Sequence, residues 1–128
     1  MHVMKITNEG LIQKARSVMN PQRFGQCDVG GVGCALVTEK GKVHMGVCID
    51  VSCGIGFCAE HGAIAAMLMS GESRITKIVA LWRDKILPPC GRCREFMWQI
   101  NPENAGTEVL VEPNKTVTLK ELLPYPCY

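Results

Sequence analysis

The sequence predicts an α/β fold: three layers, α/β/α, with one mixed sheet of about five strands covered by helices on both faces. Three observations carry that expectation. Segments with an apolar period near two alternate with segments of helical period. Two β-rich runs sit either side of a short glycine turn, the signature of an antiparallel hairpin. One helical segment is apolar nearly all round, so it belongs against a sheet and not in solvent. At 128 residues and 14.0 kDa the chain reads as a single domain spanning 1–128, long enough for a core without staples.

The elements follow in order. From about Thr7 to Met19, residues Leu11, Ile12, Ala15, Val18 and Met19 recur at helical spacing, with Thr7 or Asn8 as cap. Val32 to Thr38 and Val43 to Val51 are β-rich, and Glu39, Lys40, Gly41 and Lys42 form the turn between them. Cys58 to Ser70 is the apolar helix, with almost no polar residue after His61, and Gly71 is its stop signal. Ile75 to Trp82 is a strand, Cys90 to Ile100 a helix started by Pro88 and Pro89, and Glu108 to Glu112 another strand. A closing helix fits Leu119 to Leu123, ended by Pro124.

Composition excludes several classes. Hydrophobic residues make up 47% and charged residues 20%, which is not a disordered chain. A net charge of +2 with only seven aromatic residues gives no basic, stacking surface, so no nucleic-acid partner is expected. Met1 to Met19 is interrupted by Lys5, Asn8, Glu9, Gln13, Lys14 and Arg16, unlike a signal peptide, and no run approaches the roughly 20 apolar residues of a membrane span. The expected compartment is the cytoplasm. There, eight cysteines are metal-binding, catalytic or buried sooner than disulfide-bonded.

Three of those cysteines stand apart by position. Cys58 opens the apolar helix, and Cys90 and Cys93 form a Cys-x-x-Cys pair opening the next one. A helix N-terminus carries free N–H groups and partial positive charge, which stabilises the thiolate a metal needs. Two residues between Cys90 and Cys93 put both sulfurs on one face of a first turn, the chelating spacing of zinc sites. Taken alone, that pair also reads as a redox pair. No fourth ligand has the expected spacing, and a three-ligand zinc keeps one position open. Cys27, Cys34, Cys48, Cys53 and Cys127 read mostly as small buried hydrophobes, and His2 and His44 as ordinary histidines in a tail and a strand. Glu60 stands two residues after Cys58 in an otherwise apolar helix. Alone it reads as an acid favoured by the helix N-terminus; beside a metal ligand it reads as a carboxylate aimed at water on the metal.

Cys58-Ala59-Glu60 and Pro89-Cys90-Gly91-Arg92-Cys93-Arg94-Glu95 resemble the two halves of the zinc signature of the cytidine deaminase superfamily, in its three-cysteine form. Val29 to Leu36 is similar to the family's glycine-alanine first strand, Lys40 to Val43 to the turn into its second, and Lys120 to Pro124 to the closing helix of the small homotetrameric members, which include cytidine deaminase and blasticidin-S deaminase. The resemblance implies a zinc-dependent hydrolase that releases ammonia from an exocyclic amino group of a small amino-heterocycle, and a homotetramer, with a dimer as the alternative. It implies that Cys58, Cys90 and Cys93 hold Zn²⁺, that Glu60 moves protons, that the Ala59 N–H binds a ring carbonyl and that the Pro88 carbonyl accepts from the amino group. Phe24 resembles the aromatic that lines the base pocket.

Three positions depart from the family pattern. Where nucleoside deaminases carry Asn-x-Glu to hold ribose hydroxyls, this chain has Cys48 and Asp50, which suits a different substrate. His61 replaces an arginine that bonds the ligand thiolates; His61, Arg92 or Arg94 can offset their charge, and Arg92 lies inside the chelating turn, where its other reading is a solvated arginine. The chain ends Tyr125-Pro126-Cys127-Tyr128, with Tyr125 or Tyr128 either capping the pocket or lying in a disordered tail. Ordinary cytidine or deoxycytidine deamination, blasticidin-S deamination and a catalytically silent zinc or thiol protein are the alternatives.

Overall fold

The computed structural model describes residues 5–128; His2 and the start of the N-terminal stretch lie outside them. Helix α1 (Asn8–Val18) begins where Thr7 Oγ1 accepts from the Gly10 N–H at 3.0 Å, the N-cap its sequence foretells. Strands β1 (Gln22–Phe24), β2 (Cys27–Thr38) and β3 (Val43–Asp50) follow, then a 3₁₀ turn at Ser52–Gly54 and α2 (Ala59–Met69). Next come β4 (Ile75–Trp82), β5 (Lys85–Ile86), α3 (Gly91–Ile100), β6 (Glu108–Glu112), β7 (Lys115–Thr118) and α4 (Leu119–Leu122).

The sheet is mixed, as expected: β4 and β6 run parallel, and every other pair is antiparallel. It has seven strands, not about five. The additional ones, β1, β5 and β7, are two to four residues long, too short to show a period, and exist because a neighbour's ladder groups pair with them.

Strand alternation separates two apolar clusters. Ala35 and Val37 of β2 face Leu11, Ile12 and Ala15 of α1, while Cys34 and Leu36 face Ala63, Ile64 and Met67 of α2 and Met97 of α3. The result is the predicted three layers. Helix α2 approaches β3 without intervening side chains, because a Cβ on Gly46 would lie 2.5 Å from the Ala59 carbonyl oxygen, and one on Gly62 3.3 Å from Gly46 Cα. That contact brings the N-terminus of α2, and Cys58 with it, close against the sheet.

Candidate active site

Cys58 is the N-cap of α2 and Cys90 that of α3, with Cys93 on the first turn of α3. No capping hydrogen bond ties the Cys58 sulfur to α2, while the Cys90 sulfur stays beside the first N–H groups of α3. The two sulfurs turn toward each other: Cys58 Sγ is 3.5 Å from Cys90 Sγ, Cys90 Sγ is 3.6 Å from Cys93 Sγ, and all three lie within 4.8 Å of one another.

Their electrostatics suit a cation. Burial, then the Glu60 charge and the neighbouring thiols, push the Cys93 thiol far up; burial and Cys90 push Cys58 up. Burial acts the same way on Cys90, but the Cys93 and Arg92 N–H groups and the two partner thiols overcome it and bring Cys90 down. Three soft donors whose negative charges repel one another, at two helix N-termini, fit a thiophilic divalent ion such as zinc.

Glu60 stands in the first turn of α2, two residues after Cys58, and is only 5% exposed. Burial raises its carboxyl above the usual carboxylate range, against the opposing effect of its own backbone N–H and the Cys93 thiol. No ion pair reaches it among the described residues. A carboxyl raised in this way is better placed both to accept and to return a proton than an ordinary exposed one.

A cavity of about 480 Å³ opens beside these groups. Of the residues singled out by sequence, Cys48, Asp50, Ala59, Glu60, Pro88 and Arg92 line it, together with Cys58 and Cys90. Val32, Phe57 and Leu87 line it as well. Of these, only Phe57 had a usable signal, as an aromatic directly before Cys58.

Other expected residues sit elsewhere. Phe24 is 59% exposed at the tip of the β1–β2 hairpin, paired with Cys27, and does not reach the cavity. Its strand turns back after two residues, so the ring has no wall to pack on. Tyr125 and Tyr128 do not cap the cavity either. The tail lies along α3, where Trp98 Nε1–H donates to the Tyr128 carbonyl at 2.6 Å and the Cys127 N–H to Glu95 Oε1 at 2.8 Å. Of the five remaining cysteines only Cys34 and Cys48 are buried; Cys53 and Cys127 are exposed and Cys27 intermediate. His44, on β3, faces Ser70 Oγ at 3.4 Å and is remote from the sulfurs.

The three candidates for balancing thiolate charge separate clearly. His61 Nδ1 is 3.6 Å from Cys93 Sγ, its ring stacked on Phe96 at 4.9 Å and on Phe57 at 6.1 Å. Burial and the Arg92 charge lower the His61 pKa, so a neutral ring that donates from Nδ1 is favoured. Arg94 instead donates to the Pro89 and Leu122 carbonyls, at 2.7 and 3.1 Å, and ties the segment before α3 to the end of α4. Arg92 is exposed and lines the cavity.

A three-layer α/β fold carrying three thiols, a buried acid and an adjoining cavity defines a zinc-dependent hydrolase acting on a small molecule. Residues 5–107 match the family described as "Cytidine and deoxycytidylate deaminase zinc-binding region", and the chain belongs to that family. It is accordingly a deaminase, breaking a C–N bond. A cytidine deaminase of Mycobacterium tuberculosis is 33% identical over 96 residues, covering 73% of this chain and 69% of that protein. A blasticidin-S deaminase of Bacillus cereus is 31% identical over 106 residues, covering 73% and 74%. Among solved structures, cytidine deaminase from Burkholderia pseudomallei superposes with a TM-score of 0.74 at 27% identity, covering 94% of this chain and 98% of that one. The Mycobacterium tuberculosis cytidine deaminase structure, at 24% identity and TM-score 0.72 over 95% and 94%, shares the fold. Among the described residues no helix is long and apolar enough to cross a membrane.

Proposed function

We propose that this enzyme deaminates an amino-pyrimidine, as base or nucleoside, exchanging the exocyclic amino group for a carbonyl oxygen from water and releasing ammonia. The relatives named cytidine deaminase and blasticidin-S deaminase support the substrate class. The observation that carries the reading is Glu60, a buried carboxyl with no countercharge, facing a cavity beside three thiols. A purely structural metal site has no use for it.

In this reading Cys58, Cys90 and Cys93 are the zinc ligands, and the metal, when bound, acts as a Lewis acid that makes water nucleophilic near neutral pH. Glu60 takes one proton of the attacking water and gives it to the ring nitrogen, then takes that water's second proton and gives it to the departing amine, which leaves as ammonia. The Ala59 N–H, without an intrahelical partner as the first residue of α2, donates to the ring carbonyl. The Pro88 carbonyl accepts from the amino group before it leaves. Asp50 stands on the wall that meets whatever substituent the ring carries, with Cys48 behind it. Asp50, Glu60 and the thiols outweigh Arg92, so an unphosphorylated substrate is favoured over a nucleotide. We further propose that residues 1–128 act as one domain, in the cytoplasm, assembled as a homotetramer.

The test is ammonia release from cytidine, deoxycytidine, cytosine, blasticidin S and deoxycytidylate. Glu60→Gln is expected to keep about one zinc per chain while losing at least about 100-fold in turnover. Undiminished turnover would remove Glu60 from the mechanism, and no ammonia release from any of these compounds by the unmodified, zinc-loaded protein would favour the silent zinc protein.

A further inference from the structure

Strand β2 departs from its ladder with β3 beside the cavity. Between the partner pairs Val29–Ile49 and Gly33–Val47, β2 carries Gly30, Gly31 and Val32 where β3 carries Cys48 alone. Such a bulge leaves backbone groups on the longer strand without ladder partners. It is tied to its path: Gly30 has φ +84°, and a Cβ there would strike the Asn20 carbonyl. The Cys48 sulfur, 6% exposed, sits in the gap, 4.0 Å from where a Gly31 Cβ would be.

The sulfur is engaged on both sides. The Val32 N–H donates to Cys48 Sγ at 3.2 Å, and the Cys48 S–H is placed to donate to Asp50 Oδ2 at 3.8 Å. A thiol has one proton, and here it goes to Asp50, leaving none for a ligand. Asp50 keeps acceptor capacity on Oδ1 and on the second lone pair of Oδ2, and Asp50, unlike the sulfur, is exposed.

We propose that Cys48 is a positioning residue for substrate recognition: it does not contact the substrate, but joins the bulge at Val32 to Asp50 and holds that carboxylate in the orientation that receives a donor on the substrate's substituent. This rests on the cavity being the substrate site. The thiol thus takes up a backbone orphan and aims a carboxylate at once, and the bulge determines where Asp50 points.

The test uses zinc-loaded protein and two readouts. By calorimetry with uridine, the product of cytidine deamination, Cys48→Ala is expected to weaken binding about tenfold, the scale of one hydrogen bond to a charged group. Cys48→Ser, which keeps a donor and an acceptor on Cβ, is expected to stay within about threefold. Added to Asp50→Asn, Cys48→Ala is expected to cost less than about twofold more, because both variants break one chain. By NMR without ligand, Val32 amide exchange is expected to speed up at least about tenfold in Cys48→Ala and little in Cys48→Ser. Additive losses, equal damage from serine, or unchanged Val32 exchange would each overturn the proposal. Ammonia release from cytidine by the unmodified enzyme tests the substrate reading separately, and the exchange measurement decides on Cys48 even if cytidine is not deaminated.

Discussion

Three thiolates around one divalent ion leave surplus negative charge, so a neighbour that offsets it matters as much as the ligands. We propose His61 as that neighbour: its Nδ1 is 3.6 Å from Cys93 Sγ and its ring is held between Phe57 and Phe96. His61→Phe keeps a ring for the stack and deletes the nitrogen. Zinc affinity is expected to fall about 10- to 100-fold, the usual cost of losing such a partner, measured by competition with a chelator; Arg92→Gln is expected to leave it unchanged. Equal losses in both variants would reassign the role. The ligands and Glu60 were legible in the sequence because their arrangement is local: each lies at or just inside a helix start. The choice of His61 over Arg92 was not, since it depends on aromatic rings from two separate elements closing on the imidazole. Phe24 lies outside the cavity of its own chain for a similar reason, as its surroundings are set by a hairpin tip that no spacing reveals.

Among the elements, the two helix starts had to be brought together, and the sheet does this through the packing of α2. The close contact of Gly46 on β3 with α2 holds Cys58 and Glu60 in place. Gly46→Ala puts a methyl group 2.5 Å from the Ala59 carbonyl oxygen and 2.8 Å from the Gly62 carbonyl carbon, backbone atoms that a side-chain rotation cannot move. The helix must shift outward. The variant is expected to lose about 1–3 kcal/mol of stability, the range for overpacked sites, seen as a lower Tm, and to bind zinc more weakly as Cys58 moves from its partners. A variant of unchanged Tm and zinc content would show that α2 does not depend on this approach. The long elements were readable because an apolar period or run persists over eight or more residues, as a helical period in α1 and an apolar run in β4. The bulge opposite Cys48 was not, because two glycines and a valine carry no sign of the ladder they interrupt. It turned a residue read as a buried strand position or a ribose-site replacement into part of the cavity wall.

At the scale of the molecule, α2 carries more apolar surface than one sheet can cover. Its sequence has no charged residue after His61, so one side packs on β3 while the other leaves Leu68 41% and Met69 87% exposed. Ile55, in the loop before α2, is 72% exposed. An uncharged helix side of this kind marks a contact surface, and its simplest occupant is another copy of the chain, since a closed symmetric assembly reuses one patch on every subunit. This gives the proposed homotetramer a physical cause. Leu68 and Met69 lie at the opposite end of α2 from Cys58, so charge can be placed there without disturbing the sulfurs. Sedimentation velocity is expected to show a tetramer for the unmodified protein and a smaller species for the double variant Leu68→Glu with Met69→Glu, with zinc content equal in both. A monomeric unmodified protein would refute the assembly, and a charged variant that still sediments as a tetramer would place the interface on another face.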